Sequence, residues 1–118
     1  MKRGEIWWAD LPEPIGAEPI GAEPGYRRPI VIVSSDSYNQ TNIQTVIVLM
    51  ITSNLKYAKL SNNIFLSKGE TGLSTDSVIN ITQLGTINRK LLEQHIGNLN
   101  QSILERLNES LKTVLDIY

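Results

Sequence analysis

Hydrophobic and polar positions sort this chain into short β-branched runs followed by one helical stripe. Gly4 to Asp10 (GEIWWAD) has the bulky aromatic content of a short strand. Pro29 to Ser34 (PIVIVS) and Gln44 to Ile51 (QTVIVLMI) are near-continuous apolar runs. Strands buried on both faces, as in the wall of a small closed sheet, have this pattern. Turn chemistry fills Ser34 to Asn42 (SSDSYNQTN) between them. A weaker strand is expected over Asn63 to Leu66, a loop over Lys68 to Thr75, and an alternating strand over Ser77 to Ile87. Leu91 and Leu92 fall in a short helical turn, and His95 to Leu99 in a last strand. From Gln101 onward, Ile103, Leu104, Leu107, Leu111, Val114, Leu115 and Tyr118 recur at three and four, one apolar face of a helix. Asn100 or Ser102 can cap it, the latter with Glu105 at capping-box spacing. Six or seven short strands and a terminal helix predict a mainly β (α+β) fold. The architecture expected is a small barrel covered by a helix, not a parallel α/β sheet.

The stretch from Leu11 to Arg28 breaks this pattern. EPIGA occurs twice in tandem, Glu13 to Ala17 and Glu18 to Ala22, and EPG follows at Glu23 to Gly25. Repeated Glu-Pro steps and glycines exclude a regular ladder or a helix interior, so a mobile loop is expected over 11–28. The duplication reads as a slippage insertion, since five residues are too few to bury anything.

Composition narrows the chemistry. A chain of 118 residues, 41% hydrophobic and 19% charged, has the size and balance of one globular domain, 1–118. No apolar stretch approaches the roughly 20 residues of a membrane helix. The start, MKRGEIWWAD, has charge where a signal peptide needs its apolar run, so a cytoplasmic protein is expected. The absence of cysteine excludes disulfides, a thiolate zinc site and a cysteine nucleophile. A single histidine, His95, excludes a multi-histidine metal site and most histidine relays; in its apolar setting it reads as structural. Net charge is −1, but the bases Arg27, Arg28, Lys56, Lys59 and Lys68 face only Asp36 between Pro24 and Lys68. A local basic surface is therefore expected, although the two loop lysines also fit a merely solvated turn.

The ordered segments KRGEIWWADL, GAEPGYRRPIVIVS, VIVLMITSN and STDSVINITQLGTI, closed by the amphipathic helix, resemble the MazF/PemK/Kid toxins. These are the stable partners of type II toxin–antitoxin pairs. The resemblance implies an SH3-like barrel, a homodimer, and a sequence-specific endoribonuclease that needs neither metal nor other cofactor. Its substrate would be single-stranded mRNA, cut to a 2′,3′-cyclic phosphate and a 5′-hydroxyl. The family's catalytic Arg and Thr fall on Arg28 and Thr52. Its loop Glu falls on Glu23, with Glu18 equally good by letter, and its Gln falls on Gln83. Tyr26, Arg27, Ser53 and Asn54, which flank the catalytic pair, are expected with Gln83 to bind RNA. Gly85 stands where relatives often carry a base, so a phosphate contact from that position is missing. The resemblance further implies an antitoxin whose disordered acidic segment blocks the RNA groove. The alternatives are a CcdB-like barrel that binds DNA gyrase without catalysis, and a toxin impaired by its duplicated loop.

The residues support such chemistry on their own terms. RNA brings its own nucleophile, the 2′-hydroxyl, which bypasses the missing Cys and His. What remains is to stabilise an anionic five-coordinate phosphorus, which suits the guanidinium fork of Arg28, while the Thr52 hydroxyl donates to a non-bridging oxygen. Arginine makes a poor general base, so Arg28 reads as an electrostatic stabiliser and candidate proton donor, and a carboxylate, Glu23 first, as the acceptor of the 2′ proton. Trp7 and Trp8 must point to opposite faces of their strand; one belongs in the core and the other at a rim, an interface or a base.

Overall fold

Six strands form where the β-branched runs placed them. The computed structural model describes residues 1–12 and 26–118; the Glu-Pro repeats, with Glu13, Glu18 and Glu23, lie outside the described residues. The strands are β1 (Glu5–Asp10), β2 (Arg27–Ile32), β3 (Thr45–Thr52), β4 (Ile64–Leu66), β5 (Ser77–Asn88) and β6 (Leu92–Asn98). All pairings are antiparallel, in the order β4-β5-β3-β2-β1-β6. Among the described residues the α-helices are α1 (Asp36–Asn39), α2 (Lys68–Thr71) and the long C-terminal α3 (Gln101–Leu115).

One irregularity shapes the sheet. Leu49 of β3 faces Leu84 of β5, yet the next residue, Met50, faces Asn80. Ile81, Thr82 and Gln83 are thus extra residues on β5, a bulge that bends the strand. Beyond the bend β5 pairs with β4, and before Asn88 it runs along the first half of β3. The result is a curled half-barrel. Residues of β3 alternate between two cores: Leu49 and Ile51 pack inward with Ile6, Val31, Ile79 and Leu107, while Val48 and Met50 pack with Ile30 and Ala9 on the other side. Both faces of β3 are therefore buried, which is why its sequence lacks polar alternation. Each fully buried aliphatic contributes about 1.5–3 kcal/mol.

The sheet edges β4 and β6 do not pair with each other; a backbone crossing closes the gap instead. Gly72 ends α2 at φ +84, and a Cβ there would meet the Ile96 carbonyl at 2.7 Å. A Cβ on Gly97 would collide with the Thr71 carbonyl. Only glycine permits this approach of α2 to β6.

Several local expectations are corrected. The SSDSYNQTN turn contains one helical turn, α1, because the Ser35 hydroxyl caps it by accepting from the Tyr38 N–H. The expected loop from Lys68 begins as α2. The last strand starts at Leu92 and not at His95, since β1 supplies ladder partners from Ala9 onward. Asn100, not Ser102, caps α3: its Oδ1 accepts from the Ile103 N–H at 2.9 Å.

Candidate active site

Strand register brings Arg28 and Thr52 together. The β2–β3 ladder ends at the pair Ile30–Met50, two residues from Arg28 on one strand and two from Thr52 on the other. Both line a cleft of about 220 Å³ with Trp8, Pro29, Ile51 and Ser53. The opposite wall comes from Leu73, Ser74, Thr75 and Ser77, the segment that leads from α2 into β5. Apolar and polar groups converging on one concave surface make this the candidate site.

Thr52 is the last residue of β3 and only 5% exposed. Its Oγ1 accepts the Asn54 N–H at 3.0 Å, which holds the hydroxyl oxygen in place. Asn54 spends its side chain on the chain turn that follows: Oδ1 accepts the Lys56 N–H at 3.2 Å, capping a 3-10 turn over Leu55–Lys59. Asn54 therefore acts through Thr52 and the turn, and it is not among the groups lining the cleft. Lys56 and Lys59 are exposed on that turn.

The remaining expected RNA contacts scatter. Gln83 sits in the β5 bulge, away from the cleft lining, and its Oε1 is buried without a hydrogen-bond partner, as is Asn80 Nδ2 nearby on the strand. Tyr26 adopts φ 51 just before β2 and packs against the second core. Arg27 lies over the Trp8 ring, its Cζ 4.4 Å from the centroid, and its Nε is 3.1 Å from Glu93 Oε1. Glu23 lies outside the described residues, and so does Glu18.

The two tryptophans separate as strand alternation requires. Trp7 stacks on His95 across the β1–β6 ladder, with centroids 5.3 Å apart, and donates Nε1–H to Glu5 at 3.0 Å. His95 is exposed, yet its Nε2 stands 3.0 Å from both Gly97 O and Asn98 Oδ1, contacts within its own strand. Burial pushes the Glu5 carboxyl up, but the Trp7 and Lys2 hydrogen bonds, with the charges of His95 and the N-terminus, hold it below its ordinary value. Among the described residues no cluster of three or more His, Asp or Glu could hold a metal ion. No helix there is long and apolar enough to cross a membrane.

Sequence reasoning overlooked the Leu73, Ser74, Thr75 and Ser77 wall, and left Trp8 undecided.

Residues 2–115 match the family described as PemK-like, MazF-like toxin of type II toxin–antitoxin system. The chain belongs to this family. It is 38% identical over 117 residues to the endoribonuclease MazF6 of Mycobacterium tuberculosis, covering 99% of this chain and 98% of that protein. The endoribonuclease EndoA of Bacillus subtilis is 31% identical over 115 residues, covering 98% of this chain and 94% of that one. Among solved structures, Mycobacterium tuberculosis toxin MazF-mt6 superposes with a TM-score of 0.76 at 22% identity, over 97% of this chain and 98% of that one. A MazE-MazF structure (Form-II) from Deinococcus radiodurans gives a TM-score of 0.76 at 15% identity, over 100% and 97% of the two chains. These superpositions show that the MazF-like chain shares the curled sheet and terminal helix of known toxins.

Proposed function

We propose that this MazF-type endoribonuclease cuts single-stranded RNA in the Arg28–Thr52 cleft, using the substrate's own 2′-hydroxyl and no metal ion. The observation that carries the reading is the convergence of Arg28 and Thr52, from two different strands, on one cleft. The scissile phosphate sits between them. Arg28 gives the non-bridging oxygens a fork of donors as negative charge builds on the five-coordinate phosphorus, and Thr52 donates one further hydrogen bond. As the P–O5′ bond breaks, Arg28 passes a proton to the leaving oxygen and is restored by the proton taken from the 2′-hydroxyl, giving a 2′,3′-cyclic phosphate and a 5′-hydroxyl; no water need be activated and no metal-bound hydroxide is required. Glu23, or Glu18 in its place, takes the 2′ proton.

Residues 1–118 act as one toxin domain, working in the cytoplasm as a homodimer. An acidic, disordered antitoxin segment occupies the basic surface around the cleft, as expected when inhibitor and substrate are both anionic. A solved endoribonuclease of mycobacterial origin is described in complex with its cognate antitoxin, which supports that pairing.

Purified protein incubated with a long transcript, with and without EDTA, tests this. Cuts at a short motif that survive EDTA and end in a cyclic phosphate are expected. Absence of cuts would favour a non-catalytic, gyrase-binding toxin. Cuts abolished by EDTA and restored by a divalent ion would refute the metal-free mechanism. Loss of the loop carboxylates in the E18A/E23A variant is expected to slow cleavage, and a wild-type rate would eliminate both as the base. Deleting one EPIGA copy separates an impaired toxin from an intact one: a large gain in growth arrest would show that the duplication impairs it.

A further inference from the structure

A planar ring stands beside the catalytic pair, held by two residues that the cleavage chemistry does not use. Trp8 lines the same cleft as Arg28 and Thr52. The Arg27 guanidinium covers its ring at 4.4 Å, within cation–π range, and Glu93 of β6 pins that guanidinium at 3.1 Å. The three residues come from adjacent strands β2, β1 and β6, so the ladder sets their spacing. As an ion pair this contact is worth little, since the two side chains are 42% and 45% exposed. Its consequence is geometric: Glu93 decides where the guanidinium lies, and the guanidinium decides how the indole stands.

We propose that Trp8 is the base-stacking wall of the cleft and that Glu93, acting through Arg27, is the positioning residue that holds it. The ligand is an unpaired RNA base next to the scissile phosphate. This rests on the endoribonuclease reading and adds a specificity element to it. Arg28 and Thr52 address a phosphate that every nucleotide carries, so sequence must be read by contacts to bases. In single-stranded RNA such contacts are commonly stacking on aromatic rings. Arg27, already engaged by Trp8 and Glu93, backs the ring instead of gripping phosphate.

The test begins with cut sites mapped on a long transcript. A short single-stranded RNA carrying one site is then made with each base flanking the cut replaced in turn by an abasic residue. Stacking on an aromatic is worth about 1–3 kcal/mol, so one abasic position should raise the wild-type KM on the order of tenfold, more than it alters kcat. In W8L the intact RNA should already show that raised KM, with no further abasic penalty, and W8F should recover most of the loss. E93Q should raise KM about threefold, and combining it with R27M should add nothing beyond R27M alone, as expected for residues acting in series. Should W8L fail to fold, the W8F and E93Q arms decide. Retention of the full abasic penalty in W8L, or wild-type KM and base preference in E93Q, would overturn the proposal. Normal cleavage with no abasic position sensitive to Trp8 overturns it alone, whereas a wild-type protein that cuts no RNA refutes the endoribonuclease reading and this with it.

Discussion

The hollow along α3 holds about 580 Å³, against about 220 Å³ for the cleft at Arg28 and Thr52, yet the smaller one is where side chains from separate strands converge. Glu105, Asn108, Glu109, Leu111 and Lys112 of α3 line the larger hollow, joined by Arg3 and Ile117. On α3 the polar groups pair along the helix, Lys112 Nζ reaching Glu109 at 3.4 Å and Gln101 reaching Glu105 at 3.4 Å, while Arg3 Nε donates to the Val33 carbonyl at 2.8 Å. The cleft instead collects its groups from β1, β2, β3 and the segment before β5, which only the folded sheet brings together. Helical neighbours are paired by the 3.6 period whether or not they bind anything. Side chains converging from distant segments need the fold to place them, and cavity size is a poor guide beside that.

Substitutions on the two sides should dissociate activity from stability. R28A is expected to lower kcat about 10²–10³-fold, the usual loss when a donor to a developing oxyanion is removed, with little change in melting temperature. The matching change on the helix side, E109A, should leave cleavage kinetics within about twofold. Conversely L107A, which empties a fully buried position, should cost about 2–5 kcal/mol in denaturant unfolding while the folded fraction keeps its specific activity. G97A should cost about 1–3 kcal/mol, because its Cβ forces α2 away from β6. If G97A also lowers kcat, the wall formed by Leu73 and Ser74 depends on that crossing; unchanged kcat would separate seam from cleft. T52V should reduce kcat about tenfold and stability by about 1 kcal/mol, since the Asn54 N–H loses its acceptor.

The smallest effect concerns Glu5, remote from both hollows. Its carboxyl is held below the ordinary value in the fold, so the unfolded chain binds the proton more readily. The stabilisation is therefore complete above the unfolded pKa and is lost as pH falls through the lowered folded one. The stability difference between wild type and E5Q, followed by melting from neutral pH into acid, should shrink in that window and be flat above about pH 6. A difference that persists unchanged in acid would show that the charge on Glu5 is irrelevant.

Much of the architecture was readable from local pattern. The runs Pro29 to Ser34 and Gln44 to Ile51 lack polar alternation because β2 and β3 each send side chains into both cores, and the stripe through Ile103 and Leu107 marks the inner face of α3. Single-turn helices were not readable: α1 and α2 have four residues each, too few to show a period. Nor could pattern choose between Asn100 and Ser102 as cap, since both have a suitable oxygen and only geometry decides. For the site, family motif and elementary chemistry point to Arg28 and Thr52, whereas strand alternation does not say which tryptophan meets a ligand and no local pattern marks Leu73 or Ser74.

By itself, the order of apolar residues determined the strands, the terminal helix and their mainly β packing, because burial on one or both faces imposes a period that adjacent residues must share. Which strand neighbours which, where β5 bends, and that Glu93 reaches Arg27 over Trp8 were decided only by the tertiary structure. Ladder register joins residues far apart in the chain, and that register is the outcome of packing the whole sheet at once, so no local period encodes it.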